Sequence, residues 1–155
     1  MSAPIYLEDL FPGRRFSAGS VTVDVEEVKR FAALYDPQPF HMDEEAGAAH
    51  PLFGRLAASG WHTAGMTMRM VVQAIGGISG GIVGGGGEIQ WTKPVYPGDT
   101  LRIESEVLSK RRSKSRPEMG MFQGRTTVFN QHDVAVMTMV STGLIRVRNP
   151  EAAED

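Results

Sequence analysis

From Gly60 to Ile75 the chain contains no proline, aspartate or glutamate, and Trp61, Ala64, Gly65, Met68, Val71, Val72 and Ile75 recur along it at helical spacing. Ser59 can cap the start and Gly76-Gly77 ends the run. Most other positions, including Met66, Met70 and Ala74, are also small or apolar, so this helix must be covered on more than one side. Arg69 and Gln73 interrupt it, and it falls short of the ~20 residues that cross a bilayer. It is therefore read as a core helix. The covering layer follows in the sequence. From Glu88 the period changes to two: Glu88 to Lys93 reads as a strand, Tyr96-Pro97-Gly98-Asp99 as a type II turn, and Leu101, Ile103, Ser105 and Val107 as one face of the next strand. Met121 to Asn130 and Val134 to Val147 read as two more. Antiparallel strands after one long apolar helix predict an α+β domain in which the sheet wraps that helix, over residues 1–149, followed by a short acidic tail at 150–155 that frays. Such a sheet leaves edges and part of the helix bare, which a homodimer or higher homo-oligomer would cover.

Composition excludes several classes. At 155 residues the chain builds one core, and a formal net charge of -2 gives no general attraction to nucleic acid or to an anionic membrane. There is no cysteine, so disulfides, thiolate metal sites and cysteine nucleophiles are ruled out. Met1 to Leu10 lacks the basic start and apolar run of an export signal, and the chain is read as cytoplasmic.

Upstream, Arg15 to Val21 can form a strand. Asp24 then offers an N-cap with Glu27 three residues on and Val23 and Val28 at staple positions, so a helix is predicted from Val25 to Asp36. Asp36-Pro37-Gln38-Pro39-Phe40-His41 follows. Proline fixes its own φ and keeps the residue before it extended, so Asp36 should end the helix in a stiff loop. A carboxylate is disfavoured at a helix C-terminus unless a cation or donors meet it, and His41 could supply that. A carboxylate beside an imidazole is a common device for positioning a water and moving its proton, the acid fixing the histidine tautomer. A rigid helix-to-loop junction with a structural ion pair is the plainer alternative.

With this order of elements, the chain resembles the MaoC-like hot dog-fold dehydratases and (R)-specific enoyl-CoA hydratases. Asp36, Pro39, His41 and Asp43 match the family motif, Ala58-Ser59-Gly60 matches the start of its central helix, and Lys93-Pro94-Val95-Tyr96-Pro97-Gly98-Asp99 its hairpin. Tyr35 and Gln38 depart from it, the first narrowing the approach to Asp36 and the second lengthening a polar side chain. The resemblance implies a hot dog fold and reversible hydration of a 2-enoyl thioester, with acyl-CoA as substrate and no further cofactor. Asp36 and His41 would share the water, and the Gly60 N–H would hold the thioester oxyanion. From the residues alone, Gly60 relieves crowding after Ser59 equally well. Ser59 and Trp61 are the adjoining candidates for substrate contact.

Lys110, Arg111, Arg112, Lys114 and Arg116 cluster between two strands. They form either a solvated hairpin or a contact for coenzyme A phosphates through Arg112, Lys114 and Arg116. No aromatics interleave with them, so nucleic acid is not the partner. Gly77-Ile78-Ser79-Gly80-Gly81 has the pattern of a hydrolase elbow but follows a helix, the wrong order. The glycines from Gly76 to Gly87 read as a mobile loop near the acyl site or an inert linker. His41, Asp43, Glu44 and His50 lack metal-ligand spacing, His62 and His132 read as helix-surface and turn residues, and Met66, Met68 and Met70 as core. Two alternatives to hydration stand: a hot dog thioesterase, disfavoured by the absence of an acid on the central helix, and a non-catalytic acyl-CoA binding subunit, disfavoured by the presence of both Asp36 and His41.

Overall fold

In the computed structural model, which describes residues 3–152, five strands form one antiparallel sheet in the order β1-β3-β4-β5-β2. They are β1 (Arg15–Thr22), β2 (Val83–Trp91), β3 (Thr100–Arg112), β4 (Met119–Phe129) and β5 (Ala135–Arg146). Four helices, α1 (Val25–Tyr35), α2 (Pro39–Met42), α3 (Glu44–Ala49) and α4 (Gly60–Ile75), lie between β1 and β2. The sheet packs its inner face on α4, as the hot dog resemblance implies. Met66, Met70, Val71 and Ile75 meet Leu101, Ile103, Val128, Val136, Met137 and Met139 in one buried cluster.

The punctuation of α1 is as the sequence predicts. The Asp24 carboxylate accepts a hydrogen bond from the Glu27 N–H at 2.9 Å, and the staple residues Val23 and Val28 are both buried. The turn before β3 is held by Gly98 at φ 92, a left-handed conformation open to glycine, and by the buried Asp99 carboxylate, which accepts from the Tyr96 N–H at 2.9 Å.

Three expectations need correction. The buried face of α4 is out of phase with the apolar stripe: Trp61, Met68 and Val72 are 59%, 49% and 59% exposed, whereas His62, Thr63 and Thr67 are buried. Threonines serve in this core because Thr67 Oγ1 donates to the Thr63 carbonyl at 2.8 Å, satisfying its own hydroxyl within the helix. An apolar template passes over them. The glycine run is neither loop nor linker in its second half, because β2 starts at Val83 and pairs with β5 from Val83↔Leu144 to Trp91↔Met137. Backbone pairing outweighs the poor strand preference of glycine there. His62 is not a surface residue: its Nε2 lies 3.1 Å from Glu27 Oε1 and its ring stacks on Phe31 at 4.8 Å, tying α4 to α1. His132 does sit in an exposed turn. The described part of the tail is held, since Arg112 donates to the carbonyls of Asn149 and Ala152, while residues 153–155 lie outside the described residues.

Removing the α1 cap should show in stability alone. Asp24→Ala is expected to lower the unfolding free energy by about 1 kcal/mol in a urea titration, with the slope unchanged.

Candidate active site

Asp36 is the residue at which α1 stops, its N–H still bonded to the Ala32 carbonyl at 2.9 Å. Gln38 is extended, as its proline neighbours dictate, and Pro39 opens α2. This single turn of helix returns His41 to Asp36. His41 Nε2 lies 3.4 Å from Asp36 Oδ2, and both side chains are largely buried. The ring is wedged edge-on against Phe40 at 4.5 Å.

Besides His41, the carboxylate at the helix C-terminus is met by two donors that the sequence did not assign to it. Ser59 Oγ donates to Asp36 Oδ2 at 2.7 Å, and Gln38 Nε2 donates to Oδ1 at 2.7 Å. The Ser59 hydroxyl also accepts from the Trp61 N–H at 3.2 Å, so the positive end of α4 is linked through Ser59 to the negative end of α1. Burial pushes the Asp36 carboxyl up. The bonds from Ser59 and Gln38, joined by the charge of His41 whenever its ring is protonated, outweigh it and hold the group below the ordinary aspartate value.

The tautomer of His41 is set elsewhere than the sequence suggested. Its Nδ1 lies 2.7 Å from the Ala57 carbonyl, and a carbonyl only accepts, so Nδ1 carries a proton. In the neutral ring Nε2 then carries a lone pair beside Asp36, able to take a proton from a water that touches both from the cavity side.

These groups open into a cavity of about 580 Å³ that also includes Gly60, Trp61, Trp91 and Lys93. Gly60 is the first residue of α4, where the N–H has no acceptor within its own helix. Its Cα faces the Trp91 indole. A Cβ at this position would come within 2.7 Å of the ring, and Trp91 Nε1 donates to the Gly60 carbonyl at 2.9 Å. Trp91, which also meets Trp61 edge-on at 5.1 Å, was invisible to motif reasoning. Its signal lay only in being the bulky residue just before the Lys93 hairpin. Tyr35 does not narrow the approach to Asp36, for it is 72% exposed and packs on Phe31 at 5.2 Å. Asp43, the second acid of the motif, caps α3 by accepting from the Ala46 N–H at 2.8 Å.

Arg112, Lys114 and Arg116 are not brought to this cavity within one chain. Trp91, Met137, Val128 and Ile103 stand level across the sheet, and Arg112 lies nine positions beyond Ile103, roughly 30 Å along β3. Lys110 Nζ bonds the Leu7 and Glu8 carbonyls at 3.3 and 3.1 Å. Among the described residues no group of three or more His, Asp or Glu side chains could hold a metal ion.

An open antiparallel sheet packed on a helix whose N-terminus meets an aspartate and a histidine defines a hot dog protein of the dehydratase type. The chain belongs to the MaoC-like domain family, whose model matches residues 10–128. Its backbone superposes on a MaoC-like dehydratase from Rhodospirillum rubrum with a TM-score of 0.87 at 40% identity, covering 94% of this chain and 99% of that one. An (R)-hydratase from A. caviae involved in PHA biosynthesis gives 0.71 at 26% identity, covering 88% and 97%. Among curated sequences, the uncharacterized protein YdeM of Bacillus subtilis is 32% identical over 133 residues, 84% of this chain and 91% of that protein.

The donor set on Asp36 makes a titration prediction. Ser59→Ala removes a bond that favours the charged carboxylate, so the Asp36 midpoint followed by carboxyl-carbon NMR should rise above that of the wild type. The stability this carboxylate contributes is present above the ordinary aspartate range and is lost as pH falls through the lowered folded value. In Ser59→Ala the contribution should be smaller and its loss complete at a higher pH.

Proposed function

We propose that this protein adds water reversibly across the double bond of a 2-enoyl-CoA to give the 3-hydroxyacyl-CoA. The observation that carries this is the His41 Nδ1 bond to the Ala57 carbonyl, which leaves Nε2 free toward Asp36 inside the cavity at the N-terminus of α4. A water held by Asp36 and His41 gives a proton to Nε2 as its oxygen bonds to C3. Electron density moves through C2 to the thioester oxygen, where the Gly60 N–H and the positive end of α4 hold the developing charge. The proton on Nε2 then passes to C2. One water is consumed, and no group beyond the thioester is required. Ser59 orients Asp36, and Trp61 with Trp91 walls the cavity. The family and the likeness to a dehydratase and an (R)-hydratase support hydro-lyase chemistry over thioester cleavage.

The working unit in this reading is a homodimer in the cytoplasm. Trp61, Met68 and Val72 leave an apolar stripe on α4 beside β2, an end strand of the sheet carrying exposed Val83. A second copy covers both, and only from a second copy could the basic hairpin at 110–116 reach the phosphates of a coenzyme A whose acyl end enters this cavity. No helix among the described residues is long and apolar enough to cross a membrane.

Two experiments test these statements. Loss of enoyl-thioester absorbance without release of free thiol should be seen with trans-2-enoyl-CoA substrates, and Asp36→Asn should reduce its kcat by about 10²-fold or more. Thiol release would instead favour a thioesterase. In sedimentation velocity the wild type should run as a dimer and Met68→Glu as a monomer, whereas a monomeric wild type would refute the assembly.

A further inference from the structure

The cavity that holds Asp36 and His41 contains one lysine or arginine among its lining residues, Lys93. Its backbone is fixed: the Thr92 and Lys93 N–H groups both donate to the Val136 carbonyl, at 2.9 and 3.3 Å, and Thr92 Oγ1 donates to the Ala135 carbonyl at 2.9 Å. On one side, Trp91 is pinned to Gly60; on the other, the Val95 carbonyl accepts from the Ala58 N–H at 2.8 Å. Among the described residues Lys93 pairs with no carboxylate, although the chain has more acidic than basic groups. A lysine without a carboxylate partner, its backbone fixed and its side chain exposed at the cavity that holds Asp36 and His41, is suited to an anion on the reactant.

The walls limit what that reactant can be. Ala58, Thr63 and Val95 line the cavity and are buried, and Thr67 and Met70, one and two turns along α4 from Thr63, are 0% and 1% exposed. A second, apolar cavity of about 320 Å³ lies farther along α4 around Val72 and Ile75, with no lining residue in common with the first. On the helix the nearest lining residues, Thr63 of the first and Met68 of the second, are five positions apart, roughly 8 Å along the axis. The two cavities stay separate within one chain, so a long apolar tail has no continuous bed leading inward from Asp36. The coenzyme A phosphates lie at the far end of the pantetheine arm, so a lysine sharing the cavity with the reacting carbons meets the acyl end. We propose that Lys93 determines specificity by pairing with a carboxylate at the end of a short acyl group, so that the substrate class is the enoyl thioester of a small dicarboxylic acid. This rests on the hydration reading above.

The test compares crotonyl-CoA with the coenzyme A monothioester of fumaric acid, in which the terminal methyl is replaced by a carboxylate. Wild type should show the higher kcat/KM on the fumaric monothioester. In Lys93→Met the ratio of the two kcat/KM values should fall by roughly ten- to a hundredfold, the size of a lost charged hydrogen bond, and Lys93→Arg should restore part of it. A wild type that favours crotonyl-CoA or longer chains overturns the proposal, as does an unchanged ratio in Lys93→Met. Failure to hydrate any enoyl-CoA would instead overturn the hydration reading itself.

Discussion

One hydroxyl joins the two helix ends on which the site is built. Ser59 Oγ takes the Trp61 N–H of α4 and gives its own proton to Asp36 at the end of α1. A carboxylate at a helix C-terminus is unfavourable by itself, and an uncapped N-terminus leaves donors unmet. Set end to end across Ser59, each defect answers the other, and the charge of Asp36 is fixed within reach of His41. Ser59 is fully buried, so this geometry depends on the packing of α4 into the sheet. The hairpin contributes too, because the Val95 carbonyl holds the Ala58 N–H just ahead of Ser59. The fold and the site thus share one set of contacts at the N-terminus of α4.

Much of this was legible in the sequence because it rests on local chemistry. The Asp24 cap, the end of α1 at Asp36, the Ser59 cap and the Gly98 turn each follow from a few neighbouring residues, and each stands where predicted. What was illegible depends on contacts distant in sequence. The burial of Thr63 and Thr67 hangs on how α4 is rolled against the sheet, which apolar counting misplaced. Strand β2 begins within the glycines because β5 supplies its hydrogen bonds. The same holds in the site. The proton on His41 is directed by a carbonyl sixteen residues away, and the role of Gly60 includes making room for Trp91, thirty-one residues on. Crowding and oxyanion binding were alternatives in the sequence. In the structure the Cα face of Gly60 meets an indole while its N–H stands at a helix start, so the two are compatible.

The long sheet separates two chemistries. Asp36, His41 and Lys93 gather at one end, and the basic hairpin lies at the other, bound in part to the carbonyls of Leu7, Glu8, Asn149 and Ala152. The sequence left the basic cluster either solvated or in contact with coenzyme A phosphates, and strand length places it about 30 Å from this end of the sheet within one chain. A single lysine outside that cluster, Lys93, shares the cavity of Asp36 and His41.

The central claim is that Asp36 and His41 act on one water as a unit, and a double-mutant cycle tests it most directly. Measuring kcat for enoyl-CoA hydration in Asp36→Asn, His41→Ala and the combined variant, the account predicts that the double variant is scarcely slower than the worse single one. Losses that multiply, each residue costing the same with or without the other, would show two independent roles and contradict it.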